Sequence, residues 1–428
     1  MSNENQQTAI PSPPIPKNIL EYVRNIGPGF IFLLSILGVG DLTGASVNGS
    51  KFGYAIIWTL LLAVIARFMV VEAIGRFGLC NPEKLSPIQA LVKLYGKWFR
   101  VLIAIFVVCF FFTNMSAYVK GCAEILNAMF PFMPVSAWGL VTIAFGIFCV
   151  YSPTYKFIEK MFKGLMVVVF LTIVAAAVIV QPDWGAFFKG MFIPSIPPGV
   201  PDLRATMFVV VGAIGTVIGG VGQLMYPYFI KQKGWNAPSY IKMVRFDLAF
   251  TVLFLFLIDS LLYIPAVTLI HEQEGAVIQT AMDIFNMMHM AIGAAATFVF
   301  MIGIFGAAIT SVVGMPYGVL HVFQEAVIGR VDQKHLTWKI GATVGWIPPA
   351  IAVFTNIPFT TISLLGGNIN LFFSLFVGTG ILIIGNKKSM IGEKYRNPWW
   401  SNLGLGVAFA CLWYLMGMRL IELVQSFL

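Results

Sequence analysis

The sequence predicts an all-α polytopic membrane protein of about eleven transmembrane helices, arranged as a five-plus-five inverted repeat with its first and sixth helices broken. Three observations carry this prediction. Of 428 residues, 58% are hydrophobic and 11% charged, and the mean hydropathy is +0.86, whereas a soluble domain covers its surface with roughly a quarter charged residues. The apolar residues gather into eleven stretches, each long enough to cross or nearly cross a bilayer. Glycine clusters interrupt the first and sixth stretches at mid-depth. This composition excludes a soluble enzyme, a disordered chain and a fibrous repeat.

Taken in order, residues 1–28 form a cytosolic amino-terminal tail, and the polar, Pro-rich start at 1–16 lacks the basic and apolar regions of a secretory signal. Spans one to five are expected at 29–48, 53–79, 101–128, 133–151 and 161–181, within a first repeat at 29–181. Spans six to ten, at 205–230, 246–270, 291–324, 340–354 and 359–385, belong to a second repeat at 182–385. A linker and span eleven, 401–424, occupy 386–428.

With the amino terminus inside, 21 of the 27 Lys and Arg fall in cytoplasmic segments, against only Lys51, Lys189 and Arg204 on the other side. That asymmetry fixes the orientation and puts the carboxyl terminus outside, in a membrane expected to be a bacterial inner (plasma) membrane. The net charge of +9 is distributed between hydrophobic spans rather than over one solvated face, so nucleic acid is not an expected partner. The lipid bilayer is. Five unclustered cysteines are expected to pack as small apolar residues, and four scattered histidines (His271, His289, His321, His335) have no metal-ligand spacing.

Span one carries Leu37-Gly38-Val39-Gly40-Asp41-Leu42-Thr43-Gly44, which joins helix-weakening glycines to a carboxylate where a bare charge costs several kcal/mol. Span six carries Gly215-Thr216-Val217-Ile218-Gly219-Gly220-Val221-Gly222-Gln223, with Pro227 one turn beyond. Close helix packing would explain such glycines about as well, but it explains neither Asp41 nor the recurrence five spans later. Two interrupted spans at corresponding places point to an inverted-repeat transporter with its site between the half-helix ends. Nucleotide-binding glycine loops require a strand before them, and none precedes these.

Other polar groups within spans are secondary candidates. Arg67, Glu72 and Arg76 of span two are spaced to neutralise one another, and Lys120 with Glu124 of span three form an i,i+4 pair placed to snorkel. Asp259 of span seven is a relay candidate; Thr310 and Ser311 of span eight offer hydroxyls to a coupling H⁺ or Na⁺ or to their own helix. Asn368 and Asn370 of span ten are mid-membrane amides. No Ser-His-Asp or Cys-His set can be assembled, which points away from an enzyme.

The chain resembles the Nramp family of divalent metal transporters, most closely a divergent branch. The resemblance rests on Gly27-Pro28-Gly29-Phe30, Phe52-Gly53-Tyr54, Tyr155-Lys156-Phe157-Ile158-Glu159, Gly190-Met191-Phe192-Ile193-Pro194 and Phe300 to Gly314. It implies the LeuT-like form of the inverted repeat, metal binding at the breaks of spans one and six, and proton-coupled uptake. The departures fall on the site. The family's Asp-Pro-Gly-Asn becomes Gly38-Val39-Gly40-Asp41, its Met-Pro-His becomes Gly220-Val221-Gly222, and neutral residues near Met115 and Tyr118 replace its acidic ones in span three.

Losing thioether and imidazole shifts the preference toward hard ions. The expected metal ligands are Asp41, the Gln223 amide and carbonyls freed at Gly38 and Val217, around a cavity lined by Gly40, Gly219, Gly220, Gly222 and Asn368. Such a set suits a hydrated, Mg²⁺-like ion rather than only Mn²⁺ or Fe²⁺. The ion is cargo, and no permanent cofactor is expected. The alternative is a cation-coupled transporter of an amino or carboxylic acid on the same scaffold, driven by a cation site near Gly38, Thr310 and Ser311; on either reading Thr310, Ser311, Asp259, Arg67 and Glu72 are the candidate coupling-ion or relay residues.

Overall fold

The computed structural model describes residues 13–29, 39–151, 167, 170–195, 203–271 and 277–425, apart from the side chains of 39–43 and 203–205. Every regular element among them is helical. Seven helices are long and apolar enough to cross a membrane: Trp58–Cys80, Trp98–Met129, Thr206–Gln232, Pro238–His271, Ala281–Ile328, Phe359–Ile384 and Trp399–Gln425. An eighth is reached if Phe170–Ile179 and Trp184–Phe192, bent by 116°, are one span. Val135–Tyr151 is a shorter apolar helix in the position of span four.

The elements follow the expected order, with local differences that have physical causes. Span nine is two short helices, Leu336–Val344 and Ile347–Ala352, because Pro348 and Pro349 lack the N–H groups that a continuous helix needs. Span eight begins after Gly293, whose φ of 76° and ψ of 173° separate it from a preceding helix that starts at Ala281. An amphipathic helix, Pro87–Tyr95, precedes span three; Ser86 and Gln89 close a capping box at its start, with Pro87 at the first helical position.

Span six lies at the centre. In its most apolar stretch 94% of residues are buried, against 33% in span eleven, which therefore packs at the periphery. Its first half packs on span ten backbone to backbone. A Cβ on Gly215 would overlap the Gly367 carbonyl, and one on Gly367 would overlap the Gly212 carbonyl. Glycine at these positions lets the two helices approach closely without opposing side chains.

Three buried polar clusters join the spans. The Asp247 carboxylate accepts from the backbone N–H of Gly27 (2.9 Å) and Gly29 (2.5 Å), and from the Tyr226 hydroxyl (3.2 Å). It thus ties the entry of span one to spans six and seven. Glu72 pairs with Arg76 at 3.2 Å and Arg245 at 2.8 Å, while Arg76 also donates to the Tyr395 carbonyl and to Asn397 Oδ1. Arg67 is not Glu72's partner, which corrects the reading of the span-two charges as one neutralising set. The Lys120–Glu124 pair is corrected too. Lys120 Nζ donates to the carbonyls of Thr355 and Ile357, at 2.7 and 2.5 Å, and Glu124 accepts from Ala281 N–H at the start of the helix before Gly293.

Candidate functional site

The sixth span is interrupted where its glycines cluster. The helix Leu203–Ile218 ends, Gly219 and Gly220 take φ values of +89° and +50°, a 3₁₀ turn covers Gly220–Met225, and the helix resumes as Tyr226–Gln232. Glycine populates positive φ without a Cβ penalty, so the sequence permits the break here and resists it a few residues either side. At position 220 there is a second reason, because a Cβ would meet Asn370 of span ten.

A helix end leaves four carbonyls without intrahelical partners. Here Gly215 O accepts from Gly219 N–H (3.1 Å), Val217 O from Arg67 Nη1 (2.7 Å), and Ile218 O from Gln223 Nε2 (2.9 Å). The Val217 carbonyl, expected to be free, is therefore occupied by a guanidinium. Donation by Nε2 fixes the Gln223 amide and turns Oε1 away from Ile218. Gln223 is fully buried, and Oε1 has no hydrogen-bond partner among the described residues. Leaving a buried acceptor unmatched costs about 1–3 kcal/mol, so its retention calls for an explanation.

Two further amides face the break. Asn370 Nδ2 donates to Asn114 Oδ1 at 3.0 Å, and Asn114 Nδ2 approaches Asn370 Oδ1 at 3.4 Å. Asn114 lies in a π-helical turn, Phe111–Met115, inside span three. Such turns widen a helix by one residue and recur at functional sites. Sequence reasoning missed Asn114; the polar pair Thr113-Asn114 within an otherwise apolar run was the available signal. Asn368 donates to the carbonyls of Phe208 and Leu364, and its Oδ1 has no hydrogen-bond partner among the described residues.

The space beside the break is small. A cavity of about 10 Å³ lies between spans one, two, six and seven, lined in part by Gly44, Asn48, Thr59, Val217 and Tyr263. That is close to the room one water needs. A cleft of about 530 Å³ opens beyond the second half of span six, where Tyr228, Lys231 and Glu325 line it and Tyr228 donates to Glu325.

Residues 29–422 match the family profile described as natural resistance-associated macrophage protein-like, or Nramp. The chain belongs to the Nramp family. It is 23% identical over 299 residues to the divalent metal cation transporter MntH of Caldanaerobacter subterraneus subsp. tengcongensis, covering 68% of this chain and 69% of that one. It is 27% identical over 202 residues to natural resistance-associated macrophage protein 1 of Bison bison, covering 45% of this chain and 35% of that one. The match thus spans about a third of the length of the mammalian relatives. Among solved structures, a mutant form of the Eremococcus coleocola manganese transporter superposes with a TM-score of 0.73 at 14% identity, covering 96% of this chain and 90% of that one. MhsT in complex with L-phenylalanine gives 0.59 at 13% identity, covering 91% and 98%. The fold is the LeuT-like inverted repeat of five plus five helices.

In this Nramp protein the expected site residues are only partly gathered. Gly219, Gly220, Gly222 and Gln223 form the break itself, with Val217 just before it and Asn370 across from it. Gly38 lies outside the described residues. Gly40 and Asp41 are described only as positions in the helix Val39–Phe52, which packs against the first half of span six. Thr310 and Ser311 turn their hydroxyls to the Ala307 carbonyl of their own helix, at 2.6 and 3.4 Å. Asp259 is fully buried in span seven, and Glu72 belongs to the ion cluster with Arg76 and Arg245. Among the described residues, no group of three or more His, Cys, Asp and Glu could hold a metal ion.

Proposed function

We propose that this protein is a secondary active transporter of divalent metal cations working by alternating access. The observation that carries the reading is Gln223 Oε1, a fully buried amide oxygen at the break of span six with no hydrogen-bond partner among the described residues. It sits in a family whose relatives include a divalent metal cation transporter and, by fold, a manganese transporter. Alternating access requires a polar site at mid-depth that is reachable from one side at a time, and a broken helix supplies polar groups there without exposing backbone to lipid.

The donors around the break are neutral oxygens, from Gln223, Asn370 and Asn114, and neither thioether nor imidazole replaces the family's Met-Pro-His at positions 220–222. Carboxylate, amide and water suit hard ions, so the proposed cargo is Mg²⁺-like, held by Asp41, Gln223 and a carbonyl at Gly38 with several waters kept. Coupling to H⁺ or Na⁺ through Asp259, Thr310 or Ser311, repeats bounded at 29–181 and 182–385, and a cytoplasmic amino terminus with an external carboxyl terminus complete the proposal.

The test is uptake into proteoliposomes. Mg²⁺ should accumulate against a Mn²⁺ comparison, and Asp41→Ala should abolish flux while the protein still melts cooperatively; wild-type flux in that variant would remove the reading. A thermal-shift comparison of Mg²⁺, Mn²⁺, and amino and carboxylic acids distinguishes ion from organic cargo, since a ligand of the folded form raises its melting temperature.

A further inference from the structure

Arg67 stands ten residues into the 23-residue helix Trp58–Cys80, is 1% exposed, and places Nη1 2.7 Å from the Val217 carbonyl. A mid-membrane arginine is costly and is retained where something offsets its charge. The carbonyl end of a helix contributes to that offset, because its aligned peptide dipoles amount to about half a negative charge. The first half of span six is 16 residues long and points that end at Arg67. Nearby hydroxyls do not compete for it, since Thr216 donates to Ala213 O and Thr59 to Ile56 O within their own segments. Glu72 on the same helix is engaged by Arg76 and Arg245.

We propose that Arg67 is a tethered cation. Its guanidinium fills the place at the carbonyl end of the first half of span six where a mobile cation drawn by the half-helix would otherwise sit. Two consequences follow from this geometry. A free coupling cation has no seat at this helix end. The transported ion is confined to the other side of the break, toward Gln223 Oε1 and Asn370, where side-chain oxygens and retained waters do the coordination. The second consequence rests on the divalent-cation reading above; the first does not. Arg67 is on this account a specificity-determining residue that shapes the site by its charge without touching the cargo.

The test uses the full chain in detergent without divalent ions, with the variants Arg67→Ala, Arg67→Lys and Arg67→Gln. Guanidinium at millimolar concentration, against choline at equal ionic strength, should raise the melting temperature of Arg67→Ala by about 2–4 °C, as a ligand of the folded form does, and leave the wild type unmoved. Arg67→Lys keeps the charge and should hold Mg²⁺ uptake within a few-fold. Arg67→Gln keeps a donor without the charge and should lose at least ten-fold, with uptake by Arg67→Ala partly restored by guanidinium. If Arg67→Ala does not fold, the Lys and Gln pair decides: equal melting and equal uptake would overturn the proposal. Absence of selective stabilisation in a folded Arg67→Ala would overturn it as well. Failure of the wild type to carry any divalent ion would remove the transport reading while leaving the guanidinium shift standing.

Discussion

Two buried polar regions both draw on span two, through Glu72 and Arg76 in one and Arg67 in the other, and they differ in completeness. In the Glu72 cluster each charge is answered: Arg76 at 3.2 Å, Arg245 at 2.8 Å, then the Tyr395 carbonyl and Asn397 beyond. At the break of span six an amide oxygen with no exposure has no hydrogen-bond partner among the described residues. A matched network holds helices in register, whereas an unmatched acceptor keeps coordinating capacity for something else. In sequence both look alike, as polar residues within apolar spans. Only the accounting of partners separates a structural group from a candidate ligand.

Substitutions in the two regions should act differently. The largest effect is expected from Glu72→Ala, which strands a buried Arg76 and should cost about 3–5 kcal/mol of stability, read as a lowered melting temperature. Uptake per folded molecule should persist; loss of flux at unchanged stability would move Glu72 into the ion path. Asp247→Ala removes a carboxylate that accepts two backbone N–H groups and a hydroxyl. Hydrogen bonds to a charged group contribute about 1.5–3 kcal/mol, and the loss should appear as faster amide exchange at Gly27 and Gly29.

Gly215→Ala drives a methyl into the Gly367 carbonyl and should cost about 1–3 kcal/mol by overpacking, measured as a lower melting temperature. The smallest effect on stability, about 1 kcal/mol, is expected for Gln223→Ala, paired with at least a ten-fold loss of divalent uptake. A variant of Gln223 that melts lower by several kcal/mol yet transports normally would place this residue with the structural network instead.

Much of the fold was legible because the bilayer leaves so few choices: apolar length gives spans, and paired glycines give the break at Gly219 and Gly220. The partners were not legible. Arg67 reads as a charge beside Glu72 five residues on, but it donates to a carbonyl freed by a helix break 150 positions away. Asn114 was hidden because its π turn contains neither Gly nor Pro to announce irregular backbone. Asp247, in the first turns of span seven, reads as an ordinary interfacial acid until Gly27 and Gly29 are brought to it by the fold. Span eight was placed roughly correctly, but the kink at Gly293 looked like one more glycine in an apolar run.

The contact of Gly212 and Gly215 with Gly367 also has a mechanical side. Helices touching main chain to main chain have no side chains between them to give way, so a methyl added on either face wedges the pair apart. The left-handed pair Gly219 and Gly220 ends that close contact and sets the short arm Tyr226–Gln232 apart from it.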